Sequence, residues 1–307
     1  GGEGKTMGLA PYGAKHKGKI KIKFKLDGIK TDFGEFMKRQ PLQDILNQID
    51  AKYRPDPIKP KHKFCNKKNH LNPYFAGAAY DVQRASEKIL THLGKDIEKK
   101  IKSKNICLAG GVALNSVANK KLFDNSNFKN IFVFPACSDA GIPFGAALWG
   151  TINKYCKNKK FKINFDNAYT GKSYSDLEIS NLLKKFKIKS TKYNDVQIAK
   201  ILSKGKIIGR LSGGSEYGPR ALGNRSILAD PRNKKMRNHI NKNVKHREIF
   251  RPFAPSILEE ENKKYFDLKT PSPYMLLVAK AKKPEKIPSA IHVDKTARVQ
   301  TVNKVQN

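Results

Sequence analysis

The stretch Ile106-Cys107-Leu108-Ala109-Gly110-Gly111-Val112-Ala113-Leu114-Asn115, continued by Ser116 to Phe123, decides the fold class. An apolar run meets two glycines and then a segment whose spacing predicts a helix over Val112 to Phe123. A second apolar run, Ile131 to Phe134, reads as another strand. After the polar turn Cys137 to Gly141, a further helix is expected from Ile142 to Tyr155. This is α/β layering, in which ligands gather at loops beyond the strand ends. Gly110 and Gly111 are therefore candidates for an anion or nucleotide site, because glycine admits close backbone approach and a helix N-terminus offers unpaired N–H groups. A tight turn between packed elements accounts for the same pair. Asn115 either reaches a ligand or caps the turn, and Asp139 either coordinates a metal or caps the helix that follows.

Upstream, apolar residues from Tyr74 to Ile101 recur at helical spacing, with Gly94 as the point where that long amphipathic helix would break. Lys19 to Leu26 alternates lysine with apolar residues and meets Asp27-Gly28, a half-buried strand entering a hairpin. Gly4-Lys5-Thr6 matches the end of a phosphate-binding loop, but no strand and no glycine at the required spacing precede it. Gly8, Pro11 and Gly13 favour a turn-rich loop instead.

Downstream, the polar, lysine-rich segment from Asn153 to Lys172 is the best domain boundary, giving units at 1–155 and 173–307 with a linker at 156–172. Helices are expected at Asp176 to Phe186 and Val196 to Leu202, a strand at Lys206 to Leu211, and a strand-like pattern at Thr296 to Val302. Between them lies the densest motif of the chain, Ser212 to Ser226 (SGGSEYGPRALGNRS).

With 307 residues the chain is long enough for two ordinary domains. No run of about 18 apolar residues exists, so no membrane span is expected and a soluble, cytoplasmic protein is the default. A start without methionine and an ending amid a strand-like pattern suggest a piece of a longer reading frame. Four cysteines (Cys65, Cys107, Cys137, Cys156) form no Cys-x-x-Cys pair, which argues against a zinc ribbon or a disulfide framework. His62, Cys65 and His70 fit no common metal-site spacing.

The formal net charge of +36 suggests a polyanion partner, and a basic nucleic-acid-binding module is the alternative reading. Lysine, however, is scattered through every segment, as on a solvated surface. Arginine is not: six of the 11 arginines fall between Arg220 and Arg251. Arg220, Arg225, Lys245 and Arg251 either converge on a small oxyanion, which arginine recognises with its planar fork, or stand as four exposed, independent charges; the apolar, conformationally restricted contexts of Arg220 and Arg251 favour the first.

Six stretches together resemble the O-carbamoyltransferase family of nodulation-factor and antibiotic-tailoring enzymes. They are GGEGKTMGLAPYG (Gly1 to Gly13), AGGVALNSVANKKL (Ala109 to Leu122), PACSDAGIPFGAAL (Pro135 to Leu148), EYGPRALGNRSILADPR (Glu216 to Arg232), VKHREIFRPFAPSIL (Val244 to Leu258) and HVDKTARVQTV (His292 to Val302). The resemblance implies part of an actin-like (ASKHA) nucleotide-binding transfer domain followed by a YrdC-like α/β domain. It implies that carbamoyl phosphate and ATP give a carbamoyladenylate, whose carbamoyl group passes to a small-molecule hydroxyl. Carried over by position, Arg220, Lys245 and Arg251 bind carbamoyl phosphate. Gly110, Gly111, Asn115 and Arg225 lie at nucleotide, and Asp139 is a ligand of an iron-type metal whose histidine ligands this chain lacks. Membrane and specific nucleic-acid partners are not expected.

Overall fold

The computed structural model describes residues 3–18, 22, 24–27, 30–32, 73–156, 165 and 167–303. Helix α1 spans Glu3–Leu9 and runs into a 3-10 turn at Ala10–His16. The segment is thus helical, not the turn-rich loop that its glycines and proline suggest. Pro11 sits in the first turn, where its missing N–H is no loss. Gly13 is there for space, since a Cβ on it would stand 1.8 Å from the Ala76 carbonyl oxygen. Lys5 lies inside α1, with no phosphate loop around it.

Strands β1 (Lys25–Asp27) and β2 (Lys30–Asp32) pair antiparallel with Asp27 opposite Lys30, in keeping with a hairpin after Asp27, while Gly28 and half of the expected strand Lys19 to Leu26 lie outside the described residues. Helix α2 (Pro73–Lys100) is continuous through Gly94. Glycine is used there for close approach: a Cβ would come within 2.8 Å of Leu122 on the helix packed against it. That helix is α3 (Ser116–Asp124), which connects strand β3 (Asn105–Leu108) to its parallel neighbour β4 (Asn130–Val133), with Ile106 opposite Ile131. The helix expected from Val112 is divided. Gly111–Leu114 forms a 3-10 turn, Asn115 leaves helical geometry at φ −80° and ψ 84°, and α3 starts at Ser116. Helix α4 (Ile142–Thr151) continues as a π turn to Cys156.

Helices α5 (Asp176–Lys185) and α6 (Asp195–Ser203) both open with a capping box, Ser175 with Glu178 and Asn194 with Gln197. Strand β5 (Ile208–Leu211) pairs antiparallel with β6 (Arg225–Leu228). After the short helix α7 (Met236–His239) come β7 (Ser256–Leu258), α8 (Asn262–Tyr265) and β8 (Val278–Lys280). The expected strand at Thr296 to Val302 splits at the fully buried Val299. Its first half, β9 (Thr296–Arg298), pairs antiparallel with β8, and its second, β10 (Gln300–Val302), pairs parallel with β7. Among the described residues, no helix is long and apolar enough to cross a membrane.

One core cluster joins the two ends of this list. Ala113, Val133 and Cys137 pack with Leu222, Tyr274 and Leu276. Asn119, completely buried on α3, pins the join: its Nδ2 donates to the carbonyls of Ala113 at 2.7 Å and Leu276 at 3.1 Å. A second tie runs from His292, whose Nε2 lies 3.0 Å from the Gly8 carbonyl oxygen of α1 and whose ring meets Tyr12 edge-on at 5.4 Å. The carbonyl requires the proton on Nε2, leaving Nδ1 buried and unpartnered.

Asn119→Ala removes both bonds and strands two buried carbonyls, so it should cost about 2–3 kcal/mol in denaturant unfolding. Burial pushes the His292 pKa down, against the opposing pull of Asp294. The unfolded chain therefore takes up a proton below about pH 6.5 before the folded chain does, so His292 stabilises fully above that pH and progressively less below it. Melting temperature should fall between pH 7.5 and 5.5, and His292→Gln should shrink that fall.

Candidate functional site

The charges of Arg220, Arg247 and Arg251 all act on Arg298 of β9. Arg220 is placed by the loop before it. Gly218 adopts φ 119°, and a Cβ there would lie 2.6 Å from the Pro135 carbonyl oxygen, so only glycine lets this loop settle against the turn after β4. Arg220 then donates from NH2 to the Leu114 carbonyl at 3.3 Å, while its buried Nε has no partner.

Arg247 and Arg251 are both organised by Asn241, which is wholly buried. Asn241 Oδ1 accepts from Arg247 Nε at 2.7 Å, and its Nδ2 donates to the Arg251 carbonyl at 2.9 Å. The Arg247 guanidinium also lies over the Phe253 ring, 4.8 Å from its centre. His246, just before it, takes φ 48°, a left-handed conformation that a non-glycine residue adopts only when its surroundings compel it.

Arg298 comes from β9, between buried Ala297 and Val299, and strand alternation turns it away from their core. Its Nε is shut off from solvent without a hydrogen-bond partner, although the residue keeps some accessible surface.

Burial and mutual repulsion act together on this set. Desolvation, then the charges of Arg220, Arg247 and Arg251, push the Arg298 pKa down to about 9. Desolvation, then Arg251, lowers both Arg220 and Arg247, with partial relief from Cys137 and Glu248 respectively. Among the described residues, the one carboxylate paired with any of these guanidinium groups is Glu248, 3.8 Å from Arg251, so the set carries more positive than negative charge and favours an anion.

Two of the four basic residues singled out from sequence, Arg220 and Arg251, are in this set. Lys245 is exposed at the end of the π turn Ile240–Val244, and it is not among the cations acting on Arg298. Arg225 is committed to the backbone: its NH1 donates to Ser212 and Asn224 and its NH2 to Lys172 and Gly213, at 2.8–3.2 Å. The same loop carries its own anion. Glu216 Oε1 accepts from the N–H groups of Leu222, Asn224 and Arg225 at 2.8–3.0 Å. Burial pushes the Glu216 carboxyl up, and these donors more than reverse it, leaving it below the usual range.

Gly110, at φ 95°, donates to the Cys137 carbonyl at 2.6 Å. Nothing lies within 4 Å of where a Cβ would stand on Gly110 or Gly111, so the turn faces open space. The Arg220 bond to Leu114 links that turn to the arginine set. Asn115 caps α3 by accepting from Ala118, and exchanges two hydrogen bonds with Gln83. Asp139 is exposed at the head of a 3-10 turn. Among the described residues, no three His, Cys, Asp or Glu side chains gather where they could hold a metal. His62, Cys65 and His70 lie outside the described residues.

Arg247 and Arg298 were not singled out from sequence. No local signal marks Arg298, because a polar residue between two apolar ones is the ordinary outward position of an alternating strand.

Comparison with known proteins gives the family. Residues 1–148 match the family model of the carbamoyltransferase N-terminus and residues 199–307 that of the carbamoyltransferase C-terminus. The chain belongs to the carbamoyltransferase family. It is 34% identical over 326 residues to nodulation protein NolO of Bradyrhizobium diazoefficiens, covering 99% of this chain and 55% of that protein. It is 35% identical over 318 residues to nodulation protein NolNO of Sinorhizobium fredii, covering 98% and 44%. An uncharacterised Synechocystis protein is 36% identical over 345 residues, covering all of this chain and 54% of its own length. The carbamoyltransferase chain thus spans about half the length of the curated relatives it matches.

Arg298→Met keeps the volume of the side chain and removes an uncompensated buried charge. It should raise the stability of the unliganded chain by about 1–4 kcal/mol in a buffer free of phosphate and sulfate. Added sulfate should narrow the gap by stabilising the wild type more than the variant, and a lower melting temperature for the variant in both buffers would contradict the electrostatic account.

Proposed function

We propose that Arg220, Arg247, Arg251 and Arg298 bind carbamoyl phosphate, and that the intact enzyme uses it with ATP to carbamoylate a hydroxyl of a small acceptor. The observation that carries this reading is Arg298, a desolvated guanidinium among three others with no hydrogen-bond partner for its Nε. A compact, doubly charged phosphate with several equatorial oxygens answers that need, and guanidinium forks match it bidentately. The family supplies the carbamoyl group. In catalysis, the four cations hold the phosphate and take up negative charge as it leaves, an arrangement already in place before the reaction begins.

ATP is the second substrate, and the open turn at Gly110 and Gly111 is the part of this chain that fits its phosphates. Asn115 is better explained as the cap of α3, its side chain being committed to Ala118 and Gln83. The activated carbamoyl is a carbamoyladenylate in this reading: water cleaves carbamoyl phosphate to carbamate and phosphate, and a carbamate oxygen attacks the α-phosphorus of ATP with release of pyrophosphate. The architecture that goes with it is an actin-like transfer portion in the N-terminal half and a YrdC-like portion in the C-terminal half. The iron-type metal expected at Asp139 does not fit the described residues, which offer a single exposed carboxylate there. A nucleic-acid groove is disfavoured because the charges of three partly buried arginines act on a fourth, while the lysines are dispersed along the chain.

The test is ATP–pyrophosphate exchange driven by carbamoyl phosphate in the full-length protein. Arg220→Lys and Arg298→Lys keep the charge and lose the fork, so each should reduce exchange roughly 30-fold to 1000-fold, or about 2–4 kcal/mol, with the circular dichroism unchanged. Exchange within about threefold of wild type for both would remove the cluster from the site.

A further inference from the structure

Glu248 stands between the arginine cluster and helix α1. Its Oε1 is 2.7 Å from Lys5 Nζ, and its Oε2 is 3.8 Å from Arg251. The tight contact is therefore with the lysine outside the cluster and the loose one with the arginine inside it. The Glu248 side chain is only 11% exposed, against 51% for Lys5 and 33% for Arg251. Neither cation can be replaced by water without consequence at the carboxylate.

Lys5 is presented to Glu248 by a helix fixed at its other end. Gly8 sits against Pro252 and Phe250, next to Arg251 in the chain, and its carbonyl accepts from His292. A carboxylate at the edge of an arginine cluster is chemically a competitor of an anionic substrate. Were Glu248 to close on Arg251 to the usual charge-assisted distance of about 2.8 Å, it would occupy the donors that a phosphate needs. The lysine draws it the other way.

We propose that Lys5 is a positioning residue for the anion site, holding Glu248 off Arg251 so that the Arg251 guanidinium remains free for the substrate phosphate. This rests on the carbamoyl phosphate reading above and adds to it a contribution from α1. Glu248 in turn tempers the repulsion among the four arginines without filling their site. Burial raises its carboxyl, but Lys5, the backbone and Arg251 together hold it below the usual range, so it stays charged at any pH at which the enzyme would work.

The experiment measures pyrophosphate exchange in the full-length protein with carbamoyl phosphate as the varied substrate. Lys5→Met should raise the KM for carbamoyl phosphate about tenfold, equivalent to about 1.4 kcal/mol. It should leave kcat within about twofold, because the interaction lost concerns binding. In a Glu248→Gln background the same Lys5→Met change should have no effect on KM, since no carboxylate is left to restrain, and Lys5→Arg should behave as wild type. An equal rise in KM in both backgrounds would mean that Lys5 acts through its own charge, and would overturn the proposal. So would an unchanged KM for Lys5→Met, or a loss of kcat and melting temperature in both backgrounds. If the wild type shows no exchange dependent on carbamoyl phosphate, the functional reading fails and this one with it; if the wild type exchanges and Lys5→Met matches it, this one fails alone.

Discussion

Guanidinium groups held together in a desolvated space repel one another, and much of the surrounding structure is explained by the need to keep four of them there. Among the described residues, the one carboxylate paired with any of Arg220, Arg247, Arg251 and Arg298 is Glu248, and it stays 3.8 Å from Arg251. They are instead fixed by neutral groups. The Leu114 carbonyl takes Arg220, and Asn241 takes Arg247 while gripping the Arg251 backbone. Neutral partners fix position without cancelling charge, which leaves the electrostatic demand for an external anion in place.

The loop that delivers Arg220 obeys the opposite rule. Glu216 and Arg225, nine residues apart, are both held by backbone groups, Glu216 Oε1 by three N–H groups of the loop and the Arg225 guanidinium by three carbonyls of the loop and that of Lys172. Such anchoring makes the loop rigid, and a rigid loop can hold one guanidinium, Arg220, at a fixed place with its Nε unpaired. Two arginines of the same motif therefore do different work, one structural and one facing the site.

Long-range ties then couple this region to the N-terminal elements. Asn119 bridges the turn after β3 to Leu276, His292 reaches the Gly8 carbonyl, and Lys5 reaches Glu248. The nucleotide-like turn at Gly110 and the arginine cluster are neighbours for this reason, through the Arg220 contact with Leu114. In a member of the carbamoyltransferase family, that adjacency puts the proposed nucleotide and carbamoyl phosphate sites on one connected framework.

Local signals in the sequence determined the elements that depend on near neighbours. The antiparallel pairing after Asp27, the parallel pair β3 and β4 with its helix, and helix α2 follow from turn chemistry and from apolar periods of two and 3.6, and the structure has them. The arginine-rich motifs likewise pointed to an oxyanion before any packing was known. What the sequence could not reveal is which cations share a volume. Lys245 and Arg225 sit in the same motifs as Arg251 and Arg220, yet one faces solvent and the other is consumed by carbonyls. Arg298, 78 residues beyond Arg220, joins it because β9 pairs with β8 and turns that side chain away from the Ala297 and Val299 core. Glycine, too, reads ambiguously in one dimension, since Gly13 and Gly94 permit close helix contact where the pattern suggested a loop and a break. Hydrogen-bond saturation and burial are properties of the folded neighbourhood, and only tertiary structure decides them.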